Sequence, residues 1–342
     1  MTGNIEFLPP EIENFLSKSV ETILKIVGRD KVELIALAGS FASGEATIFS
    51  QDSEIYILSD FDVYVVLRSS SDVSRMLKMR REIGKKCSSN TGNIVLLSYF
   101  HVGFYAIDEL AILPRNPAIF NLKYKSKSLY GDDTCLNLIP EIPTNEIPVS
   151  ESCVILENRA CALLSLLVRN KKEDKSLDEL IVQYELSRVY TDIAKSATIA
   201  LSDFVPGYRE RLRYLSEASS DNSVLREIID EELLERIELA TEFKLNLSEV
   251  IARSGGPSFK SFEFERTIED LIRSWKRITK IVNKSVGEGI ALPVCSAHEG
   301  TSWTEKLRSW LSVFQEIGFM NSLRLSYNLG TRLFRFSAFD LI

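Results

Sequence analysis

Two acids separated by one apolar residue lead a β-branched run in Ser59-Asp60-Phe61-Asp62-Val63-Tyr64-Val65-Val66-Leu67. Side chains of an extended strand alternate faces, so Asp60 and Asp62 project together while Phe61, Val63 and Val65 point the other way, into a core. Carboxylates held a few Å apart raise each other's pKa unless a cation lies between them, and their hard oxygens suit Mg²⁺. Upstream, the apolar stretch Leu34-Ile35-Ala36-Leu37-Ala38 runs into Gly39-Ser40. Glycine tolerates positive φ and lets backbone N–H groups approach a phosphate that the Ser40 hydroxyl can also bind. Each signal alone is commonplace, since Asp-x-Asp decorates many solvated strand edges and Gly-Ser is an ordinary turn. Together they would set a cation site beside a phosphate-binding turn.

Gly39 to Gly44 also satisfies the G-x-x-x-x-G opening of a P-loop, but Glu45 and Ala46 follow where lysine and Ser/Thr are needed, so that reading has no mechanism. Gly-Ser, a second glycine, and Ser-Asp-x-Asp before a β-branched run instead resemble the nucleotidyltransferase superfamily, with its DNA polymerase β-like fold. The resemblance covers roughly residues 30 to 133. It implies transfer of a nucleoside monophosphate from an NTP to an acceptor, with pyrophosphate leaving. It further implies two Mg²⁺ ions about 3.5–4 Å apart, with Asp60 and Asp62 as bridging ligands and a third carboxylate completing the site. Gly39, Ser40 and Ser59 become the nucleotide-binding residues. Small members of the superfamily read Gly-Ser-x-x-Arg-Gly and have a shorter loop before the first aspartate. Here Ser43 stands where the arginine is common, and Thr47 to Leu58 reads as an insertion shaping the substrate site.

The third carboxylate falls in the strand-like stretch Val102 to Leu113, where Asp108 and Glu109 are adjacent and must face opposite ways. Glu109 would share a face with Tyr105 and Ile107, so Asp108 is the choice for metal ligand and catalytic base. An edge-strand acid without a role is the alternative reading.

The 342 residues exceed the growth limit of a single core, and 45% hydrophobic content is globular. A net charge of −7 and a pI near 5.3 argue against duplex nucleic acid as a partner, because such binding rests on Lys and Arg neutralising phosphates. Cys87, Cys135, Cys153, Cys161 and Cys295 lie far apart, with only His101 and His298 to join them, so reduced thiols rather than a soft-metal site are expected. No apolar run approaches roughly 18 residues and the N-terminus lacks signal-peptide character, which predicts a cytoplasmic protein with no membrane contact.

The expected fold is α+β: a small mixed sheet flanked by helices over residues 1–135, a proline-marked linker over 136–150, and an all-α bundle over 151–342. Pro9-Pro10 precedes an apolar stripe from Ile12 to Val27 that Gly28 can terminate. Ser69 to Asp72 offers caps for a helix ending near Gly84. Stretches 93–100 and 102–113 read as an antiparallel strand pair, and Ser126 to Asp132 resembles the leucine-tyrosine-glycine segment that follows the catalytic sheet in many relatives. Helical spacing runs through 176–202, 222–251, 265–285 and 303–317.

A triphosphate needs cations beyond its metals. Lys195 resembles the helix lysine that meets the triphosphate in related enzymes, and Arg159 is a second candidate near the domain junction. Lys123, Lys125 and Lys127 read as a solvated, strand-like edge, and His298 as a loop residue with no assigned role. The partners so implied are an NTP and a hydroxyl acceptor: a small molecule, a protein or transfer RNA. The apolar helical half permits a homodimer. A catalytically silent NTP-binding sensor is the alternative function.

Overall fold

A computed structural model describes residues 8–168, 175–218, 222–254 and 260–286. The expected helix at 303–317, His298 and Cys295 lie outside them. Helix α1 (Pro10–Val27) carries its apolar stripe into the core and stops at Gly28, whose φ is +102°. Strand β1 (Val32–Ala38) leads to the single-turn helix α2 (Gly39–Ser43), then to strands β2 (Ile48–Gln51), β3 (Glu54–Ile57) and β4 (Phe61–Leu67). Helix α3 (Val73–Ser88) crosses to β5 (Ile94–Leu96) and β6 (Phe100–Ala106), and helix α4 (Pro117–Lys125) leads to β7 (Lys127–Gly131).

Two mixed sheets result, in the orders β6-β4-β1-β7 and β2-β3-β5. The expected antiparallel pair over 93–113 does not form. β5 and β6 belong to different sheets, and β6 runs parallel to β4 because α3 returns the chain to the end where β4 began. Residues Ile107–Ile112 turn into a 3₁₀ helix instead of prolonging the strand. Gly84 does not end α3; it lies inside the helix where a Cβ would come within 2.5 Å of the Phe100 carbonyl oxygen, so its missing side chain lets α3 lie on β6. Lys123 and Lys125 close α4, and only Lys127 is on a strand.

Segment 136–150 is irregular, yet it buries Ile139, Ile142 and Ile147 against one face of the larger sheet. Beyond it the chain is helical: α5 (Glu151–Val168), α6 (Lys175–Ala200), α7 (Tyr208–Ala218), α8 (Ser223–Ile228), α9 (Glu231–Leu245), α10 (Leu247–Ser254) and α11 (Phe264–Val286). The helical spacing over 222–251 is carried by three helices. Asp230 ends one segment because its carboxylate caps the next, accepting from Leu233 N–H at 3.0 Å.

The insertion 47–58 is a β-hairpin rather than an irregular loop. Its turn residues Asp52 and Ser53 take positive φ, and Phe49, Tyr56 and Leu58 are buried in the core of the helical region. Burial of three large apolar side chains stabilises by roughly 1.5–3 kcal/mol each, enough to make the hairpin a docking element between sheet and bundle.

Candidate functional site

The acid pair is held by an aromatic stack. Phe61, between the two aspartates, is fully buried and stacks on Phe41 of α2 with ring centroids 4.0 Å apart. Phe15 of α1 packs on Phe61 at 5.1 Å. Such pairs add about 0.5–1.5 kcal/mol each beyond burial, and here they fix α2 and the start of β4 to each other. Gly39 must be glycine on two counts: its φ is +66°, and a Cβ there would meet Asp62 Oδ2 at 2.4 Å. The Gly-Ser turn therefore packs directly on the Asp62 carboxylate. Ser40 is half-buried on the first turn of α2, and among the described residues its hydroxyl has no hydrogen-bond partner.

Asp60 accepts a hydrogen bond from Tyr99 N–H (3.2 Å) and faces Arg188 Nη2 at 3.3 Å. Burial, and then the charge of Asp60, push the Asp62 carboxyl up to about 6, against the pull of Arg188, Lys195 and Lys244. A divalent cation beside Asp62 would offset the charge that Asp60 places on it. Mg²⁺ is commonly held by one or two carboxylates plus water and substrate phosphates, which is the donor set Asp60 and Asp62 offer.

Facing the acids is helix α6, where Glu185, Arg188, Asp192 and Lys195 form a charged stripe at helical spacing through an otherwise buried helix. Arg159, a candidate cation, is only 7% exposed and already committed, pairing with Glu185 (2.9 Å) and Asp192 (2.7 Å). Burial would raise Asp192, but Arg159, Arg188 and Lys195 hold it below the usual carboxylate range. Burial pushes Lys195 down to about 8, against the pull of Asp192, Glu151 and Asp62. A lysine whose charge burial disfavours is relieved by a neighbouring anion.

Lys244, which sequence reading did not single out, is 3% exposed at the seam between hairpin and bundle. Its Nζ donates to Tyr184 OH (3.2 Å), Thr47 Oγ1 (3.3 Å) and Ser59 Oγ (3.3 Å), and it sits 4.9 Å from the Tyr208 ring centre. Burial works against its charge, but the oxygens of Tyr184 and Tyr208 leave its pKa raised. Ser59 shares this seam: its hydroxyl, 1% exposed, also accepts from Thr47 N–H at 2.8 Å. Glu45 spans the same junction, accepting from Tyr208 N–H at 2.7 Å at the start of α7.

Asp108 does not join the pair. It lies in the 3₁₀ turn after β6, at the opposite end of the sheet, because the register sets Asp62 beside His101 and Leu67 beside Ala106. At about 3.3 Å per residue, Asp108 is roughly 16 Å or more along the strands from Asp62. Glu109 is spent locally, accepting from Ala106 N–H at 2.7 Å. The β6 residue beside Asp62 on the same face is His101, whose pKa is lowered by burial and by Arg80 and raised by Asp60. Among the described residues no group of three or more metal-ligating side chains forms. None of their helices is long and apolar enough to cross a membrane.

No family model matches the chain, and no curated protein matches it. Among solved structures the chain is similar to spectinomycin adenyltransferase AAD(9) from Enterococcus faecialis, at 15% identity over 77% of this chain and 98% of that one, with a TM-score of 0.41. A likeness of that identity and score assigns no chemistry, so the functional reading rests on the side chains of the acid pair and the helical wall.

Proposed function

We propose that this chain is an Mg²⁺-dependent nucleotidyltransferase, moving a nucleoside monophosphate from an NTP to a hydroxyl acceptor. One observation carries the reading: the acid pair Asp60 and Asp62 faces a helical wall whose Arg188, Lys195 and Lys244 all act electrostatically on Asp62. Acids to hold a cation and a wall of buried cations beyond them match the charge pattern of a metal-bound triphosphate.

In this reading Asp60 and Asp62 hold Mg²⁺, which supplies charge neutralisation at the reacting phosphate and an oriented leaving group. Ser40, through its unpaired hydroxyl, binds a phosphate oxygen. Lys195 and Arg188 reach the triphosphate from α6, so residues 151 onward act as a clamp over the catalytic region 1–135, with 136–150 joining them. The acceptor oxygen forms a bond to the α-phosphorus, the bond from that phosphorus to the bridging oxygen breaks, and pyrophosphate carries away the electron pair. The acceptor's proton leaves to solvent or a neighbouring base.

A silent NTP-binding module is the second reading, favoured by the absence of a third acid beside Asp62 among the described residues. Calorimetric titration of each of the four NTPs with Mg²⁺ into the wild type and Asp60→Asn, with pyrophosphate followed in the same samples, decides between them. Binding lost in the variant with pyrophosphate release supports the transferase, and binding without release supports the sensor. No binding of any NTP by the wild type overturns both.

A further inference from the structure

We infer that the site takes one divalent ion, not two, because His101, and no acid, holds the strand position beside Asp62. The inference deepens the reading of the acid pair as a Mg·NTP site and rests on it.

The register leaves one strand position for a third ligand. β4 has two neighbours in its sheet. On the β1 side Ala38 pairs with Asp62 and the chain turns at once into Gly39 and Ser40, so that flank is backbone against carboxylate. On the β6 side the parallel pairing sets His101 opposite Asp62. Phe100, Val102 and Phe104 are buried in the core on the far face, so alternation turns His101 to the Asp62 face. The pairing continues with Tyr64 over Gly103, and Tyr105 stacks on Tyr64 at 5.9 Å, so a shift of register by one residue would break both contacts.

The remaining acids near the site are committed elsewhere. Asp192 and Glu185 both bind the buried Arg159 guanidinium, and Glu185 also pairs with Arg188 at 3.2 Å. With no further acid at hand, a second hard cation would have only water and phosphate oxygens to add, since an imidazole is a poor ligand for Mg²⁺. The Gly-Ser turn lies on the β1 flank, the cations lie on α6, and β6 is the sheet edge beside Asp62. Exposed His101 and Tyr99, the latter 81% exposed, stand there, and Tyr99 N–H is bonded to Asp60.

Equilibrium dialysis with Mn²⁺ and the α,β-methylene analogue of the NTP that binds in calorimetry counts the protein-bound ions directly, without turnover. One Mn²⁺ per bound nucleotide is expected in the wild type, rising to two in His101→Asp, with His101→Asn as a control that stays at one. His101 is exposed on an edge strand, so both variants are expected to fold, and a far-UV circular dichroism melt checks this. Two ions in the wild type overturn the inference while leaving the Mg·NTP reading intact. One ion in a folded His101→Asp overturns the placement of His101. No nucleotide-dependent Mn²⁺ in the wild type overturns the reading and the inference together.

Discussion

Arg188 reaches from helix α6 to Asp60 across the junction of sheet and bundle, with Nη2 3.3 Å from Oδ2. The same guanidinium pairs with Glu185 and lies 5.6 Å from the centre of the Tyr184 ring, so it is held in place before any ligand arrives. In the proposed reading, a preset cation beside Asp60 lowers the cost of gathering a triphosphate there.

Arg188→Met is accordingly expected to weaken Mg·NTP binding by about 1.5–3 kcal/mol, the loss of one hydrogen bond to a charged group, which is roughly a 10- to 150-fold rise in Kd. Calorimetry on the variant measures it. An unchanged Kd would remove Arg188 from the nucleotide site and leave it a structural tie to Asp60.

Asp62 couples function to stability. Its folded value of about 6 lies above the ordinary 3.8, so folding favours the protonated acid. That contribution is complete below about pH 4 and is lost as pH rises through 6, leaving a disfavoured carboxylate at pH 7. Asp62→Asn is expected to stabilise the metal-free protein at pH 7 by roughly 1–3 kcal/mol, with the gain vanishing near pH 4, and to abolish Mg²⁺-dependent NTP binding. Thermal melts across pH 4–8 check the first half and titration the second. A destabilised variant at pH 7 would mean that Asp62 is a structural acid.

Lys195 sets the opposite pH limit. With a folded value of about 8 it is charged at pH 7 and largely neutral by pH 9. An arriving triphosphate favours the charged form, so binding near pH 8 takes up a proton and affinity falls as pH rises through 8. Calorimetry at pH 8 in two buffers of different ionisation heat is expected to show uptake of roughly half a proton, absent in Lys195→Met. Equal uptake in both proteins would place Lys195 outside the binding site.

Much of this arrangement is legible in the residues, and the rest is hidden for identifiable causes. Alternation alone sets Asp60 and Asp62 on one face, and the apolar stripe of α1 with Gly28 after it marks that helix to the residue. Arg188, Asp192 and Lys195 are open to the same kind of reading, since charged residues at i, i+4 and i+7 in a helix otherwise made of buried residues announce a polar face turned toward something. His101 is not, because a helical crossover fixes that two strands are parallel without fixing their register. Asp108 misleads for a related reason. An apolar run continues past Ala106, but Glu109 caps the turn that ends the strand, and a capping acid reads in sequence like a strand residue. The hairpin at 47–58 reads as a loop because Phe49 and Tyr56 find their partners in helices more than a hundred residues away.

Ser59 separates a structural role from a ligand-binding one most sharply. Its hydroxyl accepts from Thr47 N–H and from Lys244 Nζ inside the seam, and it lies 3.4 Å from Tyr184 OH. Removing that oxygen leaves a buried amide and a buried ammonium each short of an acceptor, at a cost of about 1–3 kcal/mol. Ser59→Ala is therefore expected to lower the melting temperature while leaving Mg·NTP affinity within about twofold of the wild type. Lys244→Met, which removes the charge but keeps an apolar stem, is expected to destabilise by a similar amount and in addition to weaken NTP binding, because Lys244 also acts on Asp62. Melts and calorimetry on the two variants decide the matter. If Ser59→Ala keeps its stability and loses affinity, the hydroxyl faces the phosphates after all and the seam is part of the nucleotide pocket.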